Sequence, residues 1–233
     1  MIPISKRLRI CAELVPQGAR VADVGCDHGY LGVYLLQKGR ASFVVASDLR
    51  PKPLESAKAH ASRYRLFERM SFVCTDGLTG IDRNSVDTVV CAGMGGDLIR
   101  MVLEGSPWSL EGRHTIILQP QSSQYELRIW LAEKGFQIER ETPVCDAGHV
   151  YSAMRLSYVG GALKLEPSEA FVSDALLRSQ SPDLTAYLDD TIRRLEQASE
   201  NMKNAERTPE KLTFFETALA EIREVRKKYG HGS

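Results

Sequence analysis

The sequence has no C-x-x-C pair. Its five cysteines (Cys11, Cys26, Cys74, Cys91 and Cys145) are scattered and odd in number, which argues against a disulfide framework or a zinc ribbon. Unpaired thiols suit a reducing compartment, so a cytoplasmic location is expected. The five histidines are equally dispersed, and no metal site is expected from them. Charge of one sign is not in excess either, because 30 basic residues face 30 acidic ones. Bulk charge therefore does not announce a polyanion partner, and any such contact must come from a local patch. Long apolar runs are absent too. Stretches such as Val86–Ala92 and Thr115–Leu118 are strand-sized, far short of the ~20 residues that span a bilayer. No apolar h-region follows Ser5, Lys6 and Arg7, so neither a signal peptide nor a membrane partner is expected.

What is present is alternation. At 233 residues, 43% of them hydrophobic, the chain can hold one full domain and a small appendage. Strand-like runs at 20–24, 42–47, 70–74, 86–92 and 114–118 are separated by a glycine turn with a helical run over 30–38, by a helix opening at Pro51 or Pro53, and by further loops. A helix over 123–134 ends at Gly135, and strands over 136–142 and 150–158 follow with no helix between them. This pattern predicts a doubly wound α/β fold with a mostly parallel seven-stranded sheet, Rossmann-like, whose last two strands are antiparallel. After Gly160-Gly161 the strand signal stops. A short helix is expected over 168–179. Leu184, Leu188, Thr191, Leu195, Ala198, Met202 and Ala205, then Leu212, Phe215, Leu219, Ile222 and Val225, repeat at spacings of four and three around a break at Arg207-Thr208-Pro209. That is an antiparallel helical hairpin, a short coiled coil. The expected division is a catalytic unit over 1–160 and a helical unit over 161–233.

The most informative segment is Val21-Ala22-Asp23-Val24-Gly25-Cys26-Asp27-His28-Gly29-Tyr30. A buried strand ends in an acid two residues before Gly25, and a helix begins beyond Gly29. Glycine permits the tight turn and lets a ligand lie against bare backbone, and the helix start offers free N–H groups to an anion. The spacing is D-x-G-x-D-x-G, not the dinucleotide G-x-G-x-x-G. An NAD-dependent dehydrogenase is disfavoured by that spacing and by the lack of an evident hydride-transfer pair. Asp48 ends the second strand, where an acid can accept both ribose hydroxyls of a nucleoside. Asp76-Gly77 follows the third strand, and Ala92-Gly93-Met94-Gly95-Gly96 the fourth. Taken singly, each is a plain turn, since aspartate and glycine are common there. In succession at one sheet edge they read as a nucleoside-cofactor site with room for two flat groups.

These segments resemble a known family. SKRL (5–8), VADVGCDHGYL (21–31), ASDLRPKPLESA (46–57), DGL (76–78), CAGMGG (91–96), LQPQ (118–121) and LRIWL (127–131) are similar to bacterial TrmK-type tRNA (adenine-N1)-methyltransferases, and the likeness runs over essentially the whole chain. The family pattern has Ser where Cys26 stands and Ala where Gly29 stands. The resemblance implies a class I methyltransferase fold, S-adenosylmethionine as cofactor, tRNA as partner and methylation of N1 of adenine 22. On that reading Asp23, Gly25, Cys26, Gly29, Asp48, Leu49, Asp76, Gly77, Ala92 and Gly93 bind the cofactor. Asp76 lies by the adenine amine, and Gly95 and Gly96 face the substrate, with Gln119 expected at the edge of the target base and Met94 against a ring. Lys6 and Arg7 are expected to meet a tRNA phosphate or the cofactor carboxylate, or to be solvated helix charges.

Asp27 replaces a glycine where the strand meets the cofactor, and is expected to stabilise the positive charge of a methylated ring or to hold the cofactor ammonium. His28 beside it is a second catalytic candidate, although a lone turn histidine is commonly a local hydrogen-bonder. Two basic clusters, Lys58, Arg63, Arg65, Arg69 and Arg223, Arg226, Lys227, Lys228, are candidate RNA grips or merely solvated helix faces. The segment 161–233 itself carries 11 basic and 13 acidic residues. A small-molecule or protein methyltransferase, and a non-catalytic RNA-binding protein on this fold, stay open at this point, as does the oligomeric state.

Overall fold

The computed structural model describes residues 1–204 and 209–229. Helix α1 (Lys6–Leu14) leads into β1 (Ala19–Val24), α2 (Tyr30–Gln37), β2 (Ala41–Asp48), α3 (Pro51–Arg63), β3 (Met70–Cys74), β4 (Thr88–Met94), α4 (Gly96–Glu104), β5 (Thr115–Pro120), α5 (Gln124–Glu133), β6 (Phe136–Asp146) and β7 (His149–Tyr158). The strands form one seven-stranded sheet in the order β3-β2-β1-β4-β5-β7-β6. β1 pairs with β2 and β4 in parallel, and β7 runs antiparallel to both β5 and β6. The expected doubly wound architecture is therefore present. Its switch point lies between β1 and β4, where chain direction of winding reverses and ligands of such sheets bind.

Alternation along the strands builds two cores. Val21, Val44, Val90 and Ile117 point to the face covered by α1, α2 and α3. Their neighbours Ala22, Val45, Val89, Cys91, Ile116 and Leu118 point to the face covered by α4 and α5. A slip of one residue in any strand would exchange the two sets. α1 starts at Ser5, whose side chain accepts the Leu8 N–H, and α3 starts on Pro51, a residue suited to the first helical turn.

Several boundaries differ from those read in the sequence. β4 starts at Thr88 and runs on to Met94, because Ala92 and Met94 stay paired with β5 across a bulge at Gly93. β6 and β7 are longer than expected and meet at Ala147-Gly148, both with positive φ (50° and 80°), the backbone of a tight hairpin. The helix expected over 168–179 shrinks to α6 (Asp174–Leu177). Ser173 interrupts it, because this residue caps α6 and donates its hydroxyl to buried Glu141 at 2.6 Å. The hairpin is present as α7 (Leu184–Asn204) and α8 (Pro209–Tyr229). Ala205 and the break at Arg207-Thr208 lie outside the described residues.

The helical extension is fused to the sheet. Leu176, Leu184, Leu188, Leu195, Phe215 and Ile222 form its core, with Tyr125 and Val150 of the α/β unit packed against them. Beneath lies a fully buried ion pair. Arg128 of α5 donates two bonds to Glu141 of β6, and Glu141 also accepts Ser152 and Ser173. Arg128 reaches Tyr187 of α7 at 3.4 Å, so one polar network spans α5, β6, β7, α6 and α7.

Candidate active site

The carboxyl ends of β1, β2, β3 and β4 gather the residues singled out in the sequence. Beyond β1, Gly25, Asp27 and Gly29 all have positive φ (63°, 50° and 70°), so the loop reverses within one turn before α2. Cys26 N–H donates to the Ser47 carbonyl and Gly29 N–H to the Cys26 carbonyl, each at 2.8 Å. This stitches the loop to the end of β2. Gly25 is bare for a reason: a Cβ there would lie 2.4 Å from Cε of Met94, which overhangs it from β4. Gly29 serves packing instead, since its Cβ would meet that of Ala57 on α3 at 2.7 Å.

The acids surround Cys26. Burial, then Asp23, Asp48 and Asp27, push its thiol far up, which removes it as a nucleophile and sets three carboxyl groups about one point. Asp23 is buried, with Oδ2 unpartnered among the described residues. Desolvation raises its carboxyl from 3.8 to about 7, against the opposing pull of the Gly32 amide. Asp48 is also buried, and its Oδ1 accepts the Arg50 N–H at 2.9 Å. Leu49 beside it is 66% exposed, an apolar surface held at the mouth. Asp76 is exposed on the β3 turn, and Gly77 follows it with φ 58°.

Asp27 is exposed at the lip, and His28 Nε2 lies 3.4 Å from its Oδ1. The His28 carbonyl is held by Nδ1 of His60 at 2.8 Å, which fixes the position of the turn. These two residues are thus together and face open space.

Around β4, the structure separates groups that the sequence lumped. Gly93 (φ 78°) is crossed by the Arg7 guanidinium, whose Nη1 would lie 2.9 Å from a Cβ. Arg7 is steadied by its own N–H, which donates to Asp146 at the β6–β7 hairpin. The Arg7 guanidinium therefore lies at the β4 mouth, and Lys6 next to it in sequence is exposed. Gly95 and Gly96 face the β5–α5 loop: a Cβ on Gly95 would meet Ser122 Oγ at 2.9 Å, and one on Gly96 the Ser123 carbonyl at 2.4 Å. Gly96 is bare so that the β5–α5 loop can pack on it. Gln119, expected at a base edge, is fully buried. Its Oε1 accepts the Gly93 N–H at 3.0 Å and its amide donates to the Pro120 carbonyl. Its hydrogen bonds go to the turn, which it positions. Sequence reading missed Gln121, Ser122, Ser123 and Asp146. Gln121 N–H bonds the Met94 carbonyl, and Ser123 bonds Asp97 at 2.6 Å. Ser122 and Ser123 lie in the β5–α5 loop and Asp146 at the end of β6 with no motif of their own, and Gln121 stands only as the last residue of LQPQ.

The second basic cluster is largely neutralised. Arg223 pairs with Glu196, Arg226 with Asp189 and Lys227 with Glu224, at 2.5, 2.7 and 2.6 Å. In the first cluster Arg69 donates to the Ala41 and Ser42 carbonyls, and Lys58 and Arg63 lie over the Phe72 and Tyr64 rings. No helix among the described residues is long and apolar enough to cross a membrane.

The pocket therefore suits a cofactor with a ribose, a flat apolar ring and positive charge. An orphaned buried carboxyl, a wall of carboxyl groups and a glycine floor are all in place. Comparison with known proteins agrees with that fit. The methyltransferase domain family matches residues 4–154. The tRNA (adenine(22)-N(1))-methyltransferase of Bacillus subtilis is 34% identical over 153 residues, an alignment covering 66% of this chain and 64% of that protein. The crystal structure of the B. subtilis m1A22 tRNA methyltransferase TrmK superposes with a TM-score of 0.76 at 26% identity, over 97% of both chains. A Streptococcus pneumoniae protein solved in complex with S-adenosyl-L-methionine gives 0.78 at 31% identity, over 93% of this chain and all of that one (100%). The chain belongs to the methyltransferase domain family, and within it to the TrmK type.

Proposed function

We propose that this protein transfers the methyl group of S-adenosylmethionine to N1 of an adenine in tRNA, position 22, in the cytoplasm. The observation that carries the reading is the set of carboxyl groups Asp23, Asp27 and Asp48 around Cys26, beside a β4 mouth where Gly93 and Gly95 lie against Arg7 and Ser122. Carboxylates there favour a cationic cofactor, and Arg7 and Ser122 are polar groups that an incoming nucleotide can meet beside it.

Bound there, S-adenosylmethionine supplies an electrophilic methyl group on a sulfonium. Asp48 would hold the ribose, Leu49 the adenine face, and Asp76-Gly77 the adenine edge. Gly25, Cys26 and Gly29 would offer backbone, and Asp23 a counter-charge for the ammonium. Adenine N1 keeps its lone pair near neutral pH, so no strong base is needed. What the protein must supply is alignment, with the acceptor roughly 3–3.5 Å from the methyl carbon. Met94, packed over Gly25, and the Gly93 turn shape that approach.

The ring becomes cationic as the bond forms. Asp27 would stabilise that charge or receive an N6 proton, as a preorganised acceptor at the lip, with His28 orienting it. Arg7, crossing Gly93, suits the phosphate of the target nucleotide or the cofactor carboxylate. A target inside a folded arm must be unstacked to reach this point. Residues 1–160 act as the catalytic unit and 161–233 as the element that meets the rest of the tRNA.

The test is incubation with labelled S-adenosylmethionine and unmodified tRNA transcripts, followed by nucleoside analysis. N1-methyladenosine mapped to position 22 is the expected product. Cofactor binding by calorimetry with no label in tRNA would overturn the acceptor while leaving the cofactor in place.

A further inference from the structure

A second concave site lies outboard of β5, where the helical extension meets α5. It is a cleft of about 300 Å³ floored by Tyr125, Phe171 and Phe215, with Ala198 and Arg194 on the α7 side. Tyr125 and Phe171 are stacked at 5.2 Å, and Phe215 meets each edge-on. The cleft is contiguous with the active site. Its wall includes Ser122 and Ser123, the same residues that abut Gly95 and Gly96. Its rim carries both signs with cations in slight excess: Glu126, Asp190 and Arg194 line it, Asp190 is shared by Arg194 and the neighbouring Arg193 at 2.6 and 2.5 Å, and Lys211 Nζ sits 5.5 Å above the Tyr125 ring.

We infer that this cleft receives a second, unstacked nucleobase of the RNA substrate, next to the one being methylated, with its phosphate on Arg194 and Lys211. The inference rests on the proposed tRNA activity and adds a separate subsite to it. Aromatic floors with cations at the rim are what single-stranded bases stack on, and such stacking tolerates any base. An apolar peptide would gain nothing from the two cations, whereas a nucleotide uses ring and rim together. The geometry also gives the hairpin a role that its ion-paired tail does not. It closes one wall of a base pocket that begins where the catalytic loop ends.

The test uses the full chain with unmodified tRNA transcripts. Ala198→Trp fills the cleft from α7, and Arg194→Glu reverses charge at the exposed rim without touching the core. Each should raise KM for tRNA about ten-fold, the loss of one stacked and phosphate-anchored nucleotide, with kcat and cofactor Kd within about two-fold of wild type. Arg194→Glu should also flatten the salt dependence of tRNA binding by about one phosphate contact. KM unchanged in Arg194→Glu and in a folded Ala198→Trp would overturn the subsite. Should wild type transfer no methyl group to tRNA, the proposed function fails by itself. Filter binding of the same transcripts then decides the cleft: weaker binding by the variants sustains it, and equal binding overturns it.

Discussion

The side-chain oxygen of Gln119 accepts the Gly93 N–H at 3.0 Å from a fully buried position on β5. That bond fixes a left-handed turn at the mouth of β4, where cofactor and acceptor would meet. Gln119→Leu leaves the Gly93 amide without its partner, a loss of about 1–3 kcal/mol. We expect kcat for methyl transfer to fall about ten-fold or more, with cofactor Kd little changed, in steady-state kinetics and calorimetry. Unchanged kcat would show that the Gln121–Met94 backbone bond holds the turn alone.

Asp27 adopts a left-handed conformation (φ 50°) that L-residues rarely adopt without cost. Asp27→Gly therefore separates backbone from chemistry. Glycine meets the backbone demand at no steric cost, so thermal stability should hold or rise slightly. Turnover should drop about a hundred-fold if the carboxylate stabilises the cationic ring. A variant with full kcat on tRNA would remove Asp27 from the mechanism.

The sheet was legible because its strands alternate or run apolar and their turns carry glycine and aspartate at one edge. Asp23, Asp48 and Asp76 were found by position alone, each at or just beyond a strand end. Gln119 was found too, but its role was not, because only the paired strands show that its amide is spent on Gly93. Likewise the meeting of Arg7 with Asp146 spans 139 residues of sequence, and no local pattern encodes it. The tail cations Arg223 and Arg226 read equally as an RNA grip or a solvated helix face, and only α7 shows that they pair with Glu196 and Asp189. Glu141 carried no signal, and Arg128 only its place in LRIWL, since two charges of opposite sign look like surface residues until the sheet and α5 bury them.

That pair gives a stability prediction. Arg128 and Glu141 are both fully buried, and removing one partner strands the other charge in a dry interior. Arg128→Met should destabilise the protein by about 3–5 kcal/mol, seen as a lower urea midpoint. The double variant Arg128→Met, Glu141→Leu should recover part of that loss, since neither charge then remains buried alone. If the double variant is no more stable than the single one, the network with Ser152, Ser173 and Tyr187 matters more than the charge.

Thiol chemistry can locate the cofactor. Burial raises Cys11 and Cys91 to about 12 and pushes Cys26 up further, helped by the surrounding acids. Cys74 is exposed, and its Sγ lies 3.5 Å from the Leu49 carbonyl at the proposed adenine edge. A thiol reagent at neutral pH should label Cys74 first, and Cys74→Ser should remove that fast phase. S-adenosylmethionine should slow the labelling several-fold by covering Leu49 and Asp76. Labelling that ignores saturating cofactor would move the adenosine end away from this turn.

Asp23 should make both stability and cofactor binding depend on pH. Its carboxyl rises from 3.8 to about 7 on folding, chiefly through desolvation. A group raised in this way holds its proton in the folded state across that interval while the unfolded chain has lost it. Its contribution to stability is therefore fully present below pH 3.8 and is lost as pH rises through about 7. Asp23→Asn removes the titration. The variant should gain on wild type as pH rises from about 4 to about 7, by a few kcal/mol in order of magnitude, in urea midpoints measured across that range. Binding works in the opposite direction. An ammonium brought beside Asp23 favours the ionised form, so cofactor affinity in wild type should increase as pH rises towards neutrality, with a proton released on binding. Asp23→Asn should bind more weakly and lose this pH dependence. If its calorimetric Kd instead follows wild type at every pH, Asp23 is a buried structural acid and the cofactor ammonium is held elsewhere.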